Sequence, residues 1–253
     1  MTPAHRLVSQ HRHELCHGAR DASALENRLE HLPAQSDARF CERCVEEDRS
    51  FWGVAYWRRS HHMPGVGWCQ KHGIELWTTS ARALESSPGR SLQARTCPDG
   101  AFMRDEYVTR FAAIYSAFLE LDRPLRLRQA VLRVRDAALD RGIRGRRDEA
   151  GSSLETWVWE RFEANWIERV TRPYMSAGGD LRRRFEDCSV GRQIEHPASV
   201  YALILATLYG SADEALTNFL KPLSLQEERA SEGSRGLQVE TVQDVCSAAF
   251  RRH

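Results

Sequence analysis

A chain of 253 residues with 42% hydrophobic content is long enough for one large domain or two small ones, and too apolar to be disordered throughout. Its formal net charge of +1 excludes an acidic tail or a histone-like polycation, and its only lysines, Lys71 and Lys221, precede His72 and Pro222, which excludes a Walker-type phosphate loop. The remaining basic groups are arginines, which favour planar, bidentate contacts to carboxylate or phosphate.

In chain order, residues 1–20 carry His5, Arg6, His11, Arg12, His13 and Arg20 without the apolar core of a signal peptide, so secretion is not expected. Leu25 and Leu29 among charged neighbours predict a short helix over 22–31, closed by Leu32-Pro33, and residues 1–36 read as the helical remnant of an amino-terminal domain. Residues 37–80 hold the densest run of Cys, His and Trp, a composition typical of small modules built around a metal. A loop rich in Ser, Gly and Pro runs from Thr78 to Gly100, with 81–100 as a linker.

Beyond it, Tyr107, Phe111, Ile114, Tyr115, Phe118 and Leu119 recur at helical spacing, and Leu127, Val131, Val134 and Leu139 do so again after Pro124. Gly142 to Gly145 reads as a turn. Ser152 or Ser153 can then cap a helix carrying Trp157, Val158, Phe162, Trp166, Ile167 and Val170, stopped by Arg172-Pro173. Pro197 to Leu208 reads as a buried helix, and Asp213 to Phe219 as another. Residues 101–222 thus form a helical, helix-turn-helix-like domain, followed over 223–253 by a polar tail with a weak helix near 242–250. The longest apolar run, Val200 to Tyr209, is far short of the roughly 20 residues that span a bilayer, so a cytoplasmic protein without membrane contact is expected. The fold class is mainly α, a small zinc ribbon preceding a helical bundle.

Seven cysteines in a long intracellular chain argue for metal binding or buried thiols over a disulfide framework. Cys41-x2-Cys44 and Cys69-x2-His72, 24 residues apart, are two ligand pairs of the kind that close a tetrahedral Cys3His zinc site with no position left for water. His61 and His62 compete for the fourth position, but only His72 repeats the x2 spacing of the first pair. Cys97 lacks a partner two residues on and reads as free. Trp52, Tyr56, Trp57, Trp68 and Trp77 read as the small core that covers the ribbon, base stacking being the alternative.

The block Arg39-Phe40-Cys41-Glu42-Arg43-Cys44, then Tyr56-Trp57-Arg58-Arg59-Ser60-His61-His62-Met63-Pro64-Gly65-Val66, then Cys69-Gln70-Lys71-His72-Gly73, resembles the zinc segment of the TniQ/TnsD family, whose pattern is close to R-[FY]-C-P-x-C, Y-W-x-R-x-H-Q-L-P-G-V and C-x-x-H-G. Glu42 stands where that family usually has Pro, and His62 where Gln is usual. The resemblance implies a DNA-binding adaptor without chemistry of its own. Such a protein recognises an attachment site, or docks on a guide-RNA complex, and recruits the transposition ATPase and transposase.

The residues themselves supply a candidate face for double-stranded DNA. Arg126, Arg128, Arg133, Arg135, Arg144, Arg146 and Arg147 belong to a segment where arginines outnumber the acids at Asp122, Asp136 and Asp140, a local basic stripe suited to phosphates. An ordinary solvated face is the alternative. No catalytic residues are assigned. The His-x-Glu motif of a zinc deaminase is missing upstream of Cys41, and a zinc-knit nuclease of the His-Asn-His type would need an Asn where none occurs between Asn27 and Asn165. The remaining alternative is a zinc-stabilised protein–protein docking module.

Overall fold

The structure, a computed structural model, describes residues 37–80, 83, 86–89, 94–121, 127–143, 153–175, 181–191 and 197–223. The helices expected over 22–31 and 242–250 lie outside the described residues, as do Arg126, Arg144, Arg146 and Arg147. The chain divides into two units at Phe219 and Leu220. Every element below belongs to the first unit, except for Leu220, the last residue of the last helix.

The fold is mainly α-helical with one small sheet. Strand β1 (Ala38–Phe40) pairs antiparallel with β2 (Trp77–Thr79), Phe40 opposite Trp77, and β2 pairs antiparallel with β3 (Arg95–Thr96), Trp77 opposite Thr96. The stretch expected as a loop from Thr78 to Gly100 therefore carries sheet and then enters a 3-10 helix, Pro98–Arg104. Strands of two and three residues are too short to show the alternation that marks a strand in sequence.

Helix α1 (Glu42–Trp52) starts on Cys41 and ends at Gly53, whose φ of 75° is the left-handed geometry of a helix stop; its N–H donates to the Arg49 carbonyl at 3.0 Å. Helix α2 (Glu106–Leu119) is capped by Asp105, which accepts from the Val108 N–H at 2.9 Å, and it buries Phe111, Ile114, Tyr115, Phe118 and Leu119, as their spacing predicts. Helix α3 (Leu127–Asp140) follows and closes on Gly142, with Leu139 exposed and not on the buried stripe where its spacing had put it.

The single helix expected to carry Trp157 through Val170 is two helices, α4 (Leu154–Arg161), capped by Ser153, and α5 (Ala164–Met175). Phe162 between them is extended, at φ −120° and ψ 145°. Val158, Phe162 and Trp166 stay four residues apart across this break, so an apolar period cannot reveal it. Arg172-Pro173 does not stop α5, which continues to Met175. A proline in the last turn removes a single ladder bond.

Helix α6 (Leu181–Ser189) precedes α7 (Ala198–Leu208), in which every residue is buried, and α8 (Ala212–Leu220) closes the described elements. Apolar on all sides, α7 is the axis of the bundle and packs against α2, α3 and α4. Its carboxyl end is satisfied by Arg110 of α2, whose Nη1 donates to the carbonyls of Ala206 at 2.9 Å and Tyr209 at 2.7 Å while its Nη2 pairs with Glu106. That contact sets a cation against the negative end of the helix dipole. Among the described residues no helix is long and apolar enough to cross a membrane.

Contacts between described residues hold the sheet-bearing half to the bundle. Trp166 donates its indole N–H to the Gly65 carbonyl at 2.8 Å, and Arg59 donates to the Leu119 carbonyl at 3.0 Å. Buried Asp99 is shared by Arg39 of β1 at 3.2 Å and Arg169 of α5 at 2.7 Å.

Candidate metal centre

The first ligand pair is formed by the start of α1. Cys41 sits at its amino-terminal boundary, and Val45 N–H donates to the Cys41 carbonyl at 3.0 Å, so the first helical turn brings Cys44 round beside Cys41. The second pair comes from a tight turn closed by the Trp68 and Glu75 bridge, in which Cys69 N–H donates to the Ile74 carbonyl and Gly73 N–H to the Cys69 carbonyl, each at 2.8 Å. Gly73 lies at φ 61°, a left-handed position that lets the chain turn back immediately after His72.

These two turns bring Cys41, Cys44, Cys69 and His72 together with all four ligand atoms within 4.8 Å of one another. His72 Nδ1 lies 3.4 Å from Cys41 Sγ, 3.4 Å from Cys44 Sγ and 3.6 Å from Cys69 Sγ, and Cys44 Sγ lies 3.7 Å from Cys69 Sγ. The cysteines are buried, His72 is half-buried, and the group could hold a metal ion. Burial pushes the Cys41 and Cys44 thiols up, and at Cys44 the neighbouring Cys69 and Cys41 sulfurs push in the same direction. The Cys41 and Cys44 thiols, so placed, ionise together only beside a compensating cation.

His61 and His62, the sequence competitors for the fourth position, are not members of the group. His61 is buried with Nδ1 lacking a hydrogen-bond partner, and burial together with the Arg58 charge lowers its pKa to about 4. Cys97 joins Cys41, Cys44, Cys69 and Leu76 in one buried cluster, its N–H donating to the Leu76 carbonyl at 2.8 Å, yet its sulfur is outside the ligand group.

Two acids on α1 that the sequence reading passed over frame the centre. Buried Asp48 accepts from Arg58 at 2.5 Å and from the Tyr56 N–H at 3.3 Å, fixing the chain after the helix. Glu47 meets the ring nitrogen of His72 that faces away from the sulfurs, Nε2, at 3.0 Å through Oε1, and Lys71 Nζ at 2.5 Å through Oε2. The available signal was helical continuation: Glu47 follows Cys44 by three residues and so shares its side of α1.

The aromatic residues divide. Trp68 is buried, and Trp57 and Trp77 pack with Phe40, Val45 and Ala55. Trp52 and Tyr56, expected in the ribbon's core, are 63% and 51% exposed, as are Phe51 at 75% and Val54 at 48%, all in the last turn of α1 or just past it.

Of the arginines expected at a DNA face, Arg128 and Arg133 are half-buried on α3, and neither is free of intramolecular partners. Arg135 is also half-buried, pairs with Asp136 at 2.9 Å, and runs its stem close to Gly191.

With this geometry in place, comparison with known families finds that the TniQ family model aligns to residues 3–76, a span that contains all four residues of the cluster. No curated protein matches the chain.

Proposed function

We propose, taking the TniQ match over residues 3–76 as premise, that the chain is a zinc-containing, DNA-binding adaptor for transposon target-site selection that recruits the transposition machinery without catalysis of its own. The observation that carries this reading is the Cys3His group inside the matched segment. Its dimensions support zinc. Sulfur ligands at about 2.3 Å and a nitrogen at about 2.0 Å around one tetrahedral ion leave edges of about 3.8 Å between sulfurs and about 3.5 Å between sulfur and nitrogen. The Cys44–Cys69 sulfur edge measures 3.7 Å and the three sulfur–nitrogen edges 3.4, 3.4 and 3.6 Å. With four protein ligands the ion would be structural. We read residues 37–80 as the zinc ribbon and 81–100 as its connection to a helix-turn-helix-like region over 101–222.

Double-stranded DNA is the expected partner, engaged through phosphates by the basic segment of Arg126, Arg128, Arg133, Arg135, Arg144, Arg146 and Arg147. The transposition ATPase and transposase, or a guide-RNA complex, are the expected macromolecular partners in the cytoplasm. What supports this is the family match and the excess of arginine in that segment. A second reading, a zinc-stabilised protein docking module, is favoured by the exposed Phe51, Trp52, Val54 and Tyr56 beside the ribbon.

The two readings separate in a duplex-binding titration of zinc-quantified protein across a salt series. The adaptor reading expects one zinc per chain and affinity that falls steeply as salt rises. It also expects Arg133→Ala with Arg135→Ala to weaken binding on all sequences and flatten the salt slope, and Cys41→Ser or Cys69→Ser to lose both zinc and folding of the ribbon. One zinc per chain with no DNA binding selects the docking module, and no zinc in the wild-type protein sinks both.

A further inference from the structure

We propose that Glu47 is the positioning residue of the metal centre, orienting His72 so that Nδ1 and not Nε2 is the ligand, with Lys71 holding Glu47 in turn. The proposal rests on reading the Cys3His group as a zinc site.

Its basis is the division of labour between the two ring nitrogens. Nδ1 faces three sulfurs at 3.4 to 3.6 Å, while Nε2 faces Glu47 Oε1 at 3.0 Å. A carboxylate only accepts, so this contact requires the proton on Nε2 and leaves the Nδ1 lone pair directed at the sulfurs. The ring is thereby fixed in tautomer and in rotation before any ion arrives. A hydrogen bond from the far nitrogen of a ligating histidine to a carboxylate also raises the basicity of the ligating one.

The carboxylate is itself restrained. Its second oxygen takes Lys71 Nζ at 2.5 Å, and Lys71 directly precedes His72, so the turn that delivers the ligand also delivers the cation that anchors the ligand's support. A bare surface ion pair between Glu47 and Lys71 would contribute little. What distinguishes this one is that the same carboxylate engages a largely buried imidazole, whose side chain is 12% exposed. Charge balance points the same way. A dication held by three thiolates and a neutral imidazole carries a net negative charge, a carboxylate beside it adds to that, and Lys71 offsets the addition.

The experiment uses the full chain, zinc as the probe and a chromophoric chelator as competitor, on wild-type protein, Glu47→Ala and Glu47→Gln. The nitrogen-15 shifts of His72 are recorded on each. Glu47→Ala is expected to weaken zinc binding by about 10-fold to 100-fold and to give His72 shifts of a ring no longer held in one ligation mode. Glu47→Gln keeps an oxygen that accepts from Nε2–H. It is expected to stay within a few-fold of wild type and to retain the pattern of a metal-bound Nδ1 with a protonated Nε2.

Wild-type affinity and shifts in Glu47→Ala overturn the assignment, as does Glu47→Gln binding as poorly as Glu47→Ala, which would make charge and not orientation the contribution. Wild-type protein that takes up no zinc overturns the metal reading and this proposal with it. One zinc per wild-type chain with an unaffected Glu47→Ala overturns the role of Glu47 alone.

Discussion

His61 is an imidazole among buried side chains with one ring nitrogen unpartnered, and such a group is tolerated only while uncharged. Burial, aided by the nearby Arg58 charge, lowers its pKa from 6.5 to about 4. The unfolded chain therefore takes up a proton near pH 6.5 that the folded chain refuses until about pH 4. The stability tied to a neutral His61 is present above pH 6.5 and is lost as pH falls through that window, by up to about 1.4 kcal/mol per pH unit. Acid also protonates metal ligands, so the informative quantity is a difference. His61→Leu should show a shallower loss of stability than wild type between pH 6.5 and 5, by close to one proton, in urea unfolding with zinc in excess. Parallel curves for the two proteins would mean that His61 accepts its proton in the folded state. The other buried ionic groups differ because they are paired: Asp99 with two guanidiniums, Arg110 with Glu106 and two carbonyls. Removing one partner there would strand a charge, whereas removing His61 strands nothing.

At the scale of elements, the loop ahead of Cys69 docks on α5 through a glycine. Gly65 lies at φ +70°, its carbonyl accepts the Trp166 indole, and a Cβ there would sit 2.4 Å from Val170 Cγ2 and 2.8 Å from Trp166 Nε1. Gly142, at φ +72° after α3, has nothing within 4 Å of the same atom. Gly142→Ala should cost only the backbone strain, about 1 kcal/mol, whereas Gly65→Ala adds forced displacement of packed atoms and should cost about 2 to 4 kcal/mol in urea unfolding. Equal losses would show that Val170 and Trp166 yield freely. The helices α2, α3, α7 and α8 were legible because a stripe or a fully apolar run is written within each segment. The members of the Cys3His group were legible for the same local reason, as x2 spacing needs only one turn of chain to converge. Helix α1 was not, since Cys44, Val45 and Asp48 are its only buried residues and two of those are a thiol and an acid. The break at Phe162, the passage of α5 through Pro173, the sharing of Asp99 and the contact of Glu47 with His72 depend on partners distant in sequence, which periodicity and spacing do not report.

At the scale of the first unit, the sulfur-rich cluster and the helical core differ in chemistry. Cys41, Cys44 and Cys69 bury with Leu76 and Cys97 in a cluster with few carbons to cohere without an ion, whereas Phe111, Tyr115, Phe118, Tyr201 and Phe219 fill the bundle with apolar area that needs no ion. The contacts between them include the hydrogen bond from Trp166 to Gly65, the packing of Gly65 on Val170, and the ion pairs of Asp99 with Arg39 and Arg169. Local opening follows the density of buried apolar contacts, so loss of metal should loosen the first core well before the second. Hydrogen exchange before and after chelation reads this directly. Amides over 41–76 should lose protection on zinc removal, while those of α7 from Tyr201 to Leu208, backed by α2, α3 and α4, should change little. The outcome decides how the ion acts on the rest of the protein. If α7 opens together with the ribbon, the staples transmit the metal's free energy to the whole unit, and any DNA contact made from α3 would depend on zinc as strongly as one made from the ribbon. If only 41–76 opens, dependence of DNA binding on zinc would assign that binding to the ribbon itself.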